Sequence, residues 1–392
     1  MNVVIIGAGA AGLTAAIHGA KIGNKVTVIE HENKPGKKIA VTGNGKCNIT
    51  NSNVSSERYY GDRKFIETVL EQFDYKDTLD FFENIGVFCY EKNGYYYPNS
   101  NQAVTVINSL RDYALNLGVS IKTNNCVKKI EKKDSRFVID IGIPITCDKL
   151  IIATGGMAAP KTGSDGSGYL FAEQFGHTII QPRPALTGLI CDDSLKKASG
   201  VRVKAKVSID NTQISDVGEL QITDYGISGI PVFNISRMAK KGTGIIIDFL
   251  PDDTYECALD KIKKIFTVRP KSSVFNGFNG LLNEKLSNAI LMKLNFDGSI
   301  RCESISDEVL KSFVNIIKGF KITVQKRKGF DFAQVTEGGV CTEEIDPCTM
   351  ESRLCENLYF AGEIMDVDGI CGGYNLQFAW SSGRIAGGHK NL

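Results

Sequence analysis

The chain holds 11 cysteines in 392 residues, yet no two of them stand at C-x-x-C spacing. The count is odd and the spacing irregular, so the cysteines do not make a disulfide framework. They read as reduced thiols in a cytoplasm, and disulfide-reductase chemistry is not expected. Histidine is scarce: His18, His31, His177 and His389 are the only four. None is paired at metal-ligand spacing, so no metal site is expected. No apolar run approaches the roughly 18 residues that a membrane-spanning helix needs. The first apolar stretch has no basic segment before it and is broken by glycines. It is expected to be a strand of the fold and not a secretory signal. The net charge of +2 makes no global case for nucleic acid or a membrane. Internal repeats and low-complexity linkers are also missing. What remains, with 42% hydrophobic and 23% charged residues, is an ordinary globular composition long enough for two or three domains.

Glycine is what the chain has in abundance, and its placement carries the first signal. Residues 1–30 read MNVVIIGAGAAGLTAAIHGAKIGNKVTVIE. The spacing predicts a strand over Asn2–Ile6, a G-x-G-x-x-G turn at Gly7, Gly9 and Gly12, a helix over Ala10–Ile22, and a strand over Lys25–Ile29 ending at Glu30. The glycines serve a tight turn, close approach of pyrophosphate and close helix–strand packing. The helix N-terminus offers N–H groups to an anion. Glu30 stands where an acceptor meets a ribose 2′-OH, which argues against a 2′-phosphate. This unit predicts dinucleotide binding and does not separate FAD from NAD.

Residues 31–51, HENKPGKKIAVTGNGKCNITN, read as a loop with cations at Lys37, Lys38 and Lys46. Residues 63–93 and 103–117 have helical periodicity. Val119–Thr123, Val127–Lys132 and Phe137–Ile141 are expected as a small antiparallel set. Lys149–Ala153 is a buried strand running into ATGG (153–156). Short strands follow over 188–249, then helices over 254–320. The chain returns to strands and glycine turns at FAQVTEGGV (332–340) and NLYFAGE (357–363), and closes on GGYNLQFAWSSGRIAGG (372–388). This order predicts a nucleotide-binding domain made of both chain ends, 1–186 and 336–392, with a β-plus-helical insertion at 187–335. The insertion holds 22 Lys and Arg against 17 Asp and Glu, a net of +5.

Three features favour FAD: the fingerprint opens the sequence, a later strand ends in ATGG, and LYFAGE ends in Glu363 before a helix that begins beyond GGYN. The free N–H groups of that helix suit the flavin pyrimidine, where negative charge gathers on reduction. The segments GKKIAVTGNGKCNITN (36–51), YYPNSNQA (96–103), GSDGSGY (163–169), ITDYGISGIPVFNIS (222–236), VTEGGV (335–340) and LYFAGEIMDVDGICGGYNLQFAWSSG (358–383) carry a resemblance across essentially the whole chain. It resembles the BaiN/YhiN family of FAD-dependent oxidoreductases in the two-dinucleotide-binding flavoprotein superfamily. The family usually has Arg where Lys37 and Lys46 stand and Gly where Asn44 stands. Lysine keeps the charge and gives up bidentate geometry.

The resemblance implies an α/β fold: a Rossmann-like, glutathione-reductase-like FAD-binding domain with an inserted β-barrel-like and helical domain. It places Gly7, Gly9, Ala10, Ala11 and Gly12 at the pyrophosphate and Glu30 at the adenosine ribose. Lys38, Gly45, Cys47 and Asn48 are placed along the cofactor or flavin edge, and Val127 at the adenine. Thr154, Gly155 and Gly156 flank the pyrophosphate. Gly362, Glu363 and Asp366 fall in the ribityl and phosphate region, and Gly373, Tyr374, Asn375 and Leu376 around the pyrimidine. It also implies reduction of a C=C bond conjugated to a carbonyl, in a steroid-type enone or in uracil of ribosomal RNA. For that reaction Cys47 is the candidate proton donor, and Lys46 or Asn48 the group that polarises the carbonyl. Tyr97 and Ser100 are weaker candidates for the substrate face. With one complete fingerprint in the chain, NADH or NADPH is expected to dock transiently. An RNA partner would use the basic insertion, a small molecule an apolar pocket. The competing expectation is a flavin-binding sensor or assembly protein without turnover.

Overall fold

The computed structural model describes residues 1–388. The chain divides into two compact units, Met1–Pro184 with the chain from Gln334 onward, and Ala185–Ala333. The architecture is α/β, with a parallel Rossmann-like sheet in the first unit and a closed barrel in the second.

The sheet of the first unit has five parallel strands in the order Leu358–Phe360, Lys149–Ile152, Asn2–Ile6, Lys25–Ile29 and Ser120–Lys122. The opening strand is central. Val3 pairs with Lys149 on one side and with Val26 on the other. A strand flanked on both sides and covered on both faces has to be apolar throughout, and VVII is. The edge strand Ser120–Lys122 corrects an expectation. Val119–Thr123 reads as a member of the antiparallel set, but it pairs in parallel with the second strand, Thr27 opposite Ser120. The helix Ala103–Asn116 just before it supplies the crossover that a parallel pairing needs. The antiparallel set is instead Lys129–Lys133, Arg136–Asp140 and Pro144–Cys147.

Residues 63–93 are not one helix. Asp62 accepts a hydrogen bond from the Phe65 N–H and starts Arg63–Gln72. Asp74 and Asp77 form a capping box that starts Tyr75–Asn84. Cys89–Lys92 is then a strand, paired with Tyr95–Pro98. The loop at 31–51 contains a short helix, Lys37–Val41.

The second unit closes six strands into a barrel: Leu189–Cys191, Gly226–Ser228, Ser215–Thr223, Arg202–Ile209, Gly244–Asp248 and Phe320–Arg327. Closure leaves no unpaired edge. Five helices, Ile230–Ser236, Tyr255–Val268, Val274–Phe278, Glu284–Lys293 and Asp307–Lys318, complete this unit. Its core is separate from that of the first unit and centres on Phe266, Phe278 and Phe313, whose rings meet at 5.2–6.3 Å. No helix among the described residues is long and apolar enough to cross a membrane.

A buried polar trio fastens the segment after Val340 to the start of the strand Ile179–Ala185. His177 is buried between Glu344, 3.1 Å from Nδ1, and Ser352, 2.7 Å from Nε2. The Ser352 hydroxyl accepts from the N–H groups of Leu354 and Cys355, at 3.0 and 2.9 Å. Its one hydrogen therefore goes to Nε2, and the Nδ1–H is donated to Glu344. Burial holds the imidazole pKa below its ordinary value, against the pull of Glu344. Burial also works against the Glu344 carboxylate, but hydrogen bonds from Thr178 and His177 outweigh it and lower that pKa. The histidine term is complete above the unfolded pKa of about 6.5 and is lost as pH falls through the lower folded value. The thermal midpoint is expected to drop between pH 7 and pH 5, and the His177→Gln protein to show a flatter profile there. Calorimetry across that range checks it, and identical slopes in the two proteins would remove His177 from the account.

Candidate functional site

The site is built at the carboxyl ends of the first unit's strands. Gly7 follows the opening strand with φ +101°, and a Cβ there would lie 2.4 Å from the Ala153 carbonyl oxygen. A Cβ on Gly12 would lie 1.9 Å from the Gly7 oxygen. Both positions therefore exclude a side chain. Gly9 differs, because a Cβ there meets nothing within 4 Å. It opens the helix Ala10–Lys21 with no side-chain cap, so no capping side chain takes the N–H groups of the first turn, Ala10 and Ala11 included. That cradle fits a pyrophosphate.

Glu30 ends the second strand. One carboxylate oxygen accepts from the Ala8 N–H at 2.7 Å, the other from the Glu32 N–H at 2.8 Å. These bonds pin the carboxylate beside the glycine turn, and each oxygen keeps a lone pair for a ribose hydroxyl. The Asn125 N–H donates to the Glu30 carbonyl at 2.9 Å, which brings the 124–127 stretch and Val127 to the same strand end. Lys37 pairs with Glu32 at 2.5 Å, and its cation lowers that carboxyl's pKa.

The second crossing, Thr154–Gly156, does more to join segments than to face a ligand. A Cβ on Gly156 would stand 2.4 Å from Thr336 Oγ1, and that hydroxyl accepts from the N–H groups of Met157 and Ala158. Gly155 has φ +75°. Thr154 Oγ1 lies 2.0 Å from where Gly168 would carry a Cβ. Glu363 ties this region to the loop: Lys38 Nζ is 2.6 Å from one oxygen, and the Thr336 N–H donates to the other at 3.0 Å. Lys38 and Glu363 thus neutralise each other, and their first role here is to hold three segments together. The Tyr169 hydroxyl is buried without a partner, beside the Glu363 and Asp366 carboxylates. Burial first and those charges second raise its pKa. Sequence reasoning passed over Tyr169 and Thr336, although both stand in glycine-rich segments, GSDGSGY and VTEGGV.

The closing helix, Tyr374–Gly387, begins at Gly373 with φ +92° and no side-chain cap. Gly373 leaves no room for a side chain, because a Cβ would be 2.9 Å from the Thr50 carbonyl and 3.1 Å from Asn48 Oδ1. Asn48 is buried and its Oδ1 has no partner. An acceptor of that kind beside an uncapped helix N-terminus fits the polar edge of a flavin pyrimidine, which presents both an N–H and carbonyl oxygens. Asn375 is a correction. Its side chain turns back on the Gly369 backbone, accepting from the N–H and donating to the carbonyl, each at 2.8 Å, so its first role here is to hold that turn. Tyr374 is held through its carbonyl by the Tyr59 hydroxyl at 2.8 Å, and Leu376 packs on the core.

Cys47 is the larger correction. It has no exposed surface, its backbone is left-handed at φ +59°, and its N–H donates to the Thr42 carbonyl at 3.0 Å. Burial, with Cys89 beside it, pushes the thiol up to about 12. A closed-in thiol with that pKa is poorly placed to hand a proton to a substrate carbon, which speaks against the proton-donor expectation. Lys46, next to it, is exposed. Gly45 lies in the same turn with φ +81°, and its carbonyl accepts from the Ala103 N–H at 2.7 Å. Asn44 sits at φ +54°, in the left-handed region that glycine and asparagine enter most readily.

The chain matches the HI0933-like protein Rossmann domain over residues 1–389. It is 39% identical to a 3-dehydro-bile acid delta(4,6)-reductase from Clostridium scindens, covering 98% of this chain and 97% of that protein. It is 30% identical to the ribosomal RNA dihydrouridine synthase of Escherichia coli, covering 97% and 96%. Among solved structures, a 3-ketosteroid-delta4-(5alpha)-dehydrogenase from Rhodococcus jostii RHA1 in complex with 4-androstene-3,17-dione superposes with a TM-score of 0.52 at 15% identity, covering 98% and 95%. That likeness shows the shared fold. The chain belongs to the HI0933-like family, a family of flavoprotein oxidoreductases.

The open space at Gly9 separates folding from binding. Gly9→Val is expected to leave the melting temperature of the cofactor-free protein within about 2 °C. It should weaken FAD retention at least about tenfold, or roughly 1.4 kcal/mol. Melting and flavin titration on the same preparation check it, and undiminished flavin affinity would remove the pyrophosphate from this turn.

Proposed function

We propose that this chain binds FAD and, with NADH or NADPH as electron donor, reduces a C=C bond conjugated to a carbonyl. One observation carries this reading. The two relatives' names, a delta(4,6)-reductase of a 3-oxo steroid and a dihydrouridine synthase, describe one reaction class. In both, a hydride goes to the electron-poor end of a C=C bond conjugated to a carbonyl, the β-carbon or its vinylogue in a dienone, and a proton to the carbon on the carbonyl side.

FAD, when bound, supplies the two-electron step between nicotinamide and acceptor. The chain's residues do the rest. The turn at Gly7, Gly9 and Gly12 and the uncapped first helix take the pyrophosphate, with Glu30 at the ribose. The uncapped N–H groups at Gly373–Asn375 face the place where negative charge gathers, and Asn48 Oδ1 takes an N–H from the same edge. Lys46, exposed in the adjoining loop, is the cation that polarises the acceptor's carbonyl oxygen. Cys47 supports that loop from behind.

The acceptor is a small enone or a uracil ring in RNA. A specific observation supports the RNA reading: Lys240, Lys241 and Lys326 are exposed on the barrel unit and make no ion pair among the described residues. Anionic polymers take such unpaired cations. A sensor or assembly role without turnover is the contrary reading.

The test is anaerobic. The bound flavin is bleached with NADH or NADPH, then mixed with 4-androstene-3,17-dione, with uridine-containing ribosomal RNA fragments, or with oxygen. Reoxidation by an enone or by RNA is expected, the latter slowing steeply as salt rises. The Cys47→Ala protein is expected to react within about threefold of the parent, since general acid catalysis is worth about a hundredfold or more where it operates. Reoxidation by oxygen alone would contradict the reductase reading.

A further inference from the structure

The hairpin of Cys89–Lys92 and Tyr95–Pro98 carries three consecutive tyrosines, and a strand sorts them by parity. Tyr95 and Tyr97 share one face, and Tyr96 points to the other. Tyr90 lies directly opposite Tyr97 in the ladder, on the same face, and the two rings stack at 5.8 Å with 29° between planes. On the opposite face Tyr75 of the helix Tyr75–Asn84 stacks on Tyr96 at 6.2 Å. Tyr90, Tyr95 and Tyr97 are each half-buried.

The row has a direction. The ring edge of Tyr95 stands 3.0 Å from where Gly372 would carry a Cβ, and Asn51 Nδ2 donates to the Gly372 carbonyl at 3.0 Å. Gly372 leads into Gly373, the uncapped start of the closing helix. The tyrosines therefore run Tyr90, Tyr97, Tyr95 toward the edge assigned above to the flavin pyrimidine. Burial first, then the neighbouring phenols of Tyr95 and Tyr90, raises the Tyr97 pKa, so this surface stays neutral. A neutral aromatic wall takes flat unsaturated rings and not phosphates.

We propose that Tyr90, Tyr97 and Tyr95 form the wall on which the acceptor's conjugated ring lies on its way to the flavin, with Tyr97 setting affinity. This rests on the reductase reading, and it adds the place and the means of substrate binding. The ligand chemistry is a flat ring holding a C=C–C=O unit, whether a free steroid-type enone or a pyrimidine-2,4-dione within an RNA strand.

The FAD-loaded protein is titrated separately with 4-androstene-3,17-dione and with a short uridine oligonucleotide, following the flavin absorbance, and steady-state kinetics are measured with whichever probe turns over. Tyr97→Ala is expected to keep its flavin and its rate of bleaching by the nicotinamide, and to lose about tenfold in affinity, as stacking contacts of this kind do. The loss should fall on KM more than on kcat. Tyr97→Phe should restore it, and Tyr75→Ala, on the opposite face, should leave it unchanged. If Tyr97→Ala sheds its flavin, Tyr90→Ala at the far end of the row gives the same comparison. A parent enzyme that turns over either probe while neither tyrosine variant changes affinity overturns the wall alone. A parent that is reoxidised by neither probe overturns the reductase reading beneath it.

Discussion

The contact on which the rest depends is made by glycine. The closing helix lies against the opening helix with nothing but backbone between them. A Cβ on Gly383 would sit 2.4 Å from the Ala11 carbonyl oxygen, and one on Gly387 would sit 2.6 Å from that of Ala15. Gly362 approaches the Ala11 side chain as closely, and its N–H donates to Ser382 at 3.0 Å. The opening helix answers with small residues, AAGLTAAIHGAK. Segments more than 350 residues apart in sequence thus meet at the first turn of the helix that opens on the glycine fingerprint. Filling such a crossing forces the two backbones apart, and overpacking of this kind costs about 1–3 kcal/mol.

Buried polar bonds then set what surrounds the closing helix. Thr50 donates to Gln377 Oε1 at 2.5 Å, the Gln377 amide donates to the Phe73 carbonyl at 3.1 Å and to the Ser381 hydroxyl at 3.0 Å, and the Trp380 indole N–H donates to the Ile49 carbonyl at 3.0 Å. Unmade bonds at such depth are costly, so this network admits one arrangement of the loop at 48–51 against the helix. Cys47 is buried for the same reason: it belongs to the segment drawn into the network. The Lys38–Glu363 pair does comparable work on the other flank. In both places, side chains that look like ligand contacts in the sequence serve first to hold the backbone that makes the contact.

That difference explains how much was legible. The glycines at 7, 9 and 12, the strand ending at Glu30, the ATGG turn and the glycines before the closing helix act through the backbone, and backbone demands show in the type of residue. The change of pattern near residue 187 showed short strands followed by helices, while the closure of those strands into a barrel came only with the family resemblance. Direction of a side chain is not written in that way. Nothing local to GKCN says that Cys47 faces the interior, and nothing local to GGYN says that the Asn375 amide turns back to Gly369. Tertiary pairing was equally hidden. Val119–Thr123 joined the parallel sheet because of the helix before it and the second strand beside it, and Tyr169 was passed over because its importance lies in carboxylates two hundred residues away. Asp62 and Asp74 cap two separate helices in a stretch where periodicity alone read a single helical segment.

The central claim is that the two chain ends make one cofactor site, held together by the glycine crossing. Gly383 touches backbone and no ligand, so the most direct measurement is the flavin dissociation constant of the Gly383→Val protein. It is set beside that of Phe278→Leu, a core change in the barrel-bearing unit. The account predicts that Gly383→Val raises the constant at least about tenfold, or 1.4 kcal/mol, while Phe278→Leu lowers the melting temperature and leaves flavin affinity unchanged. Equal flavin affinity in both variants and the parent would contradict it.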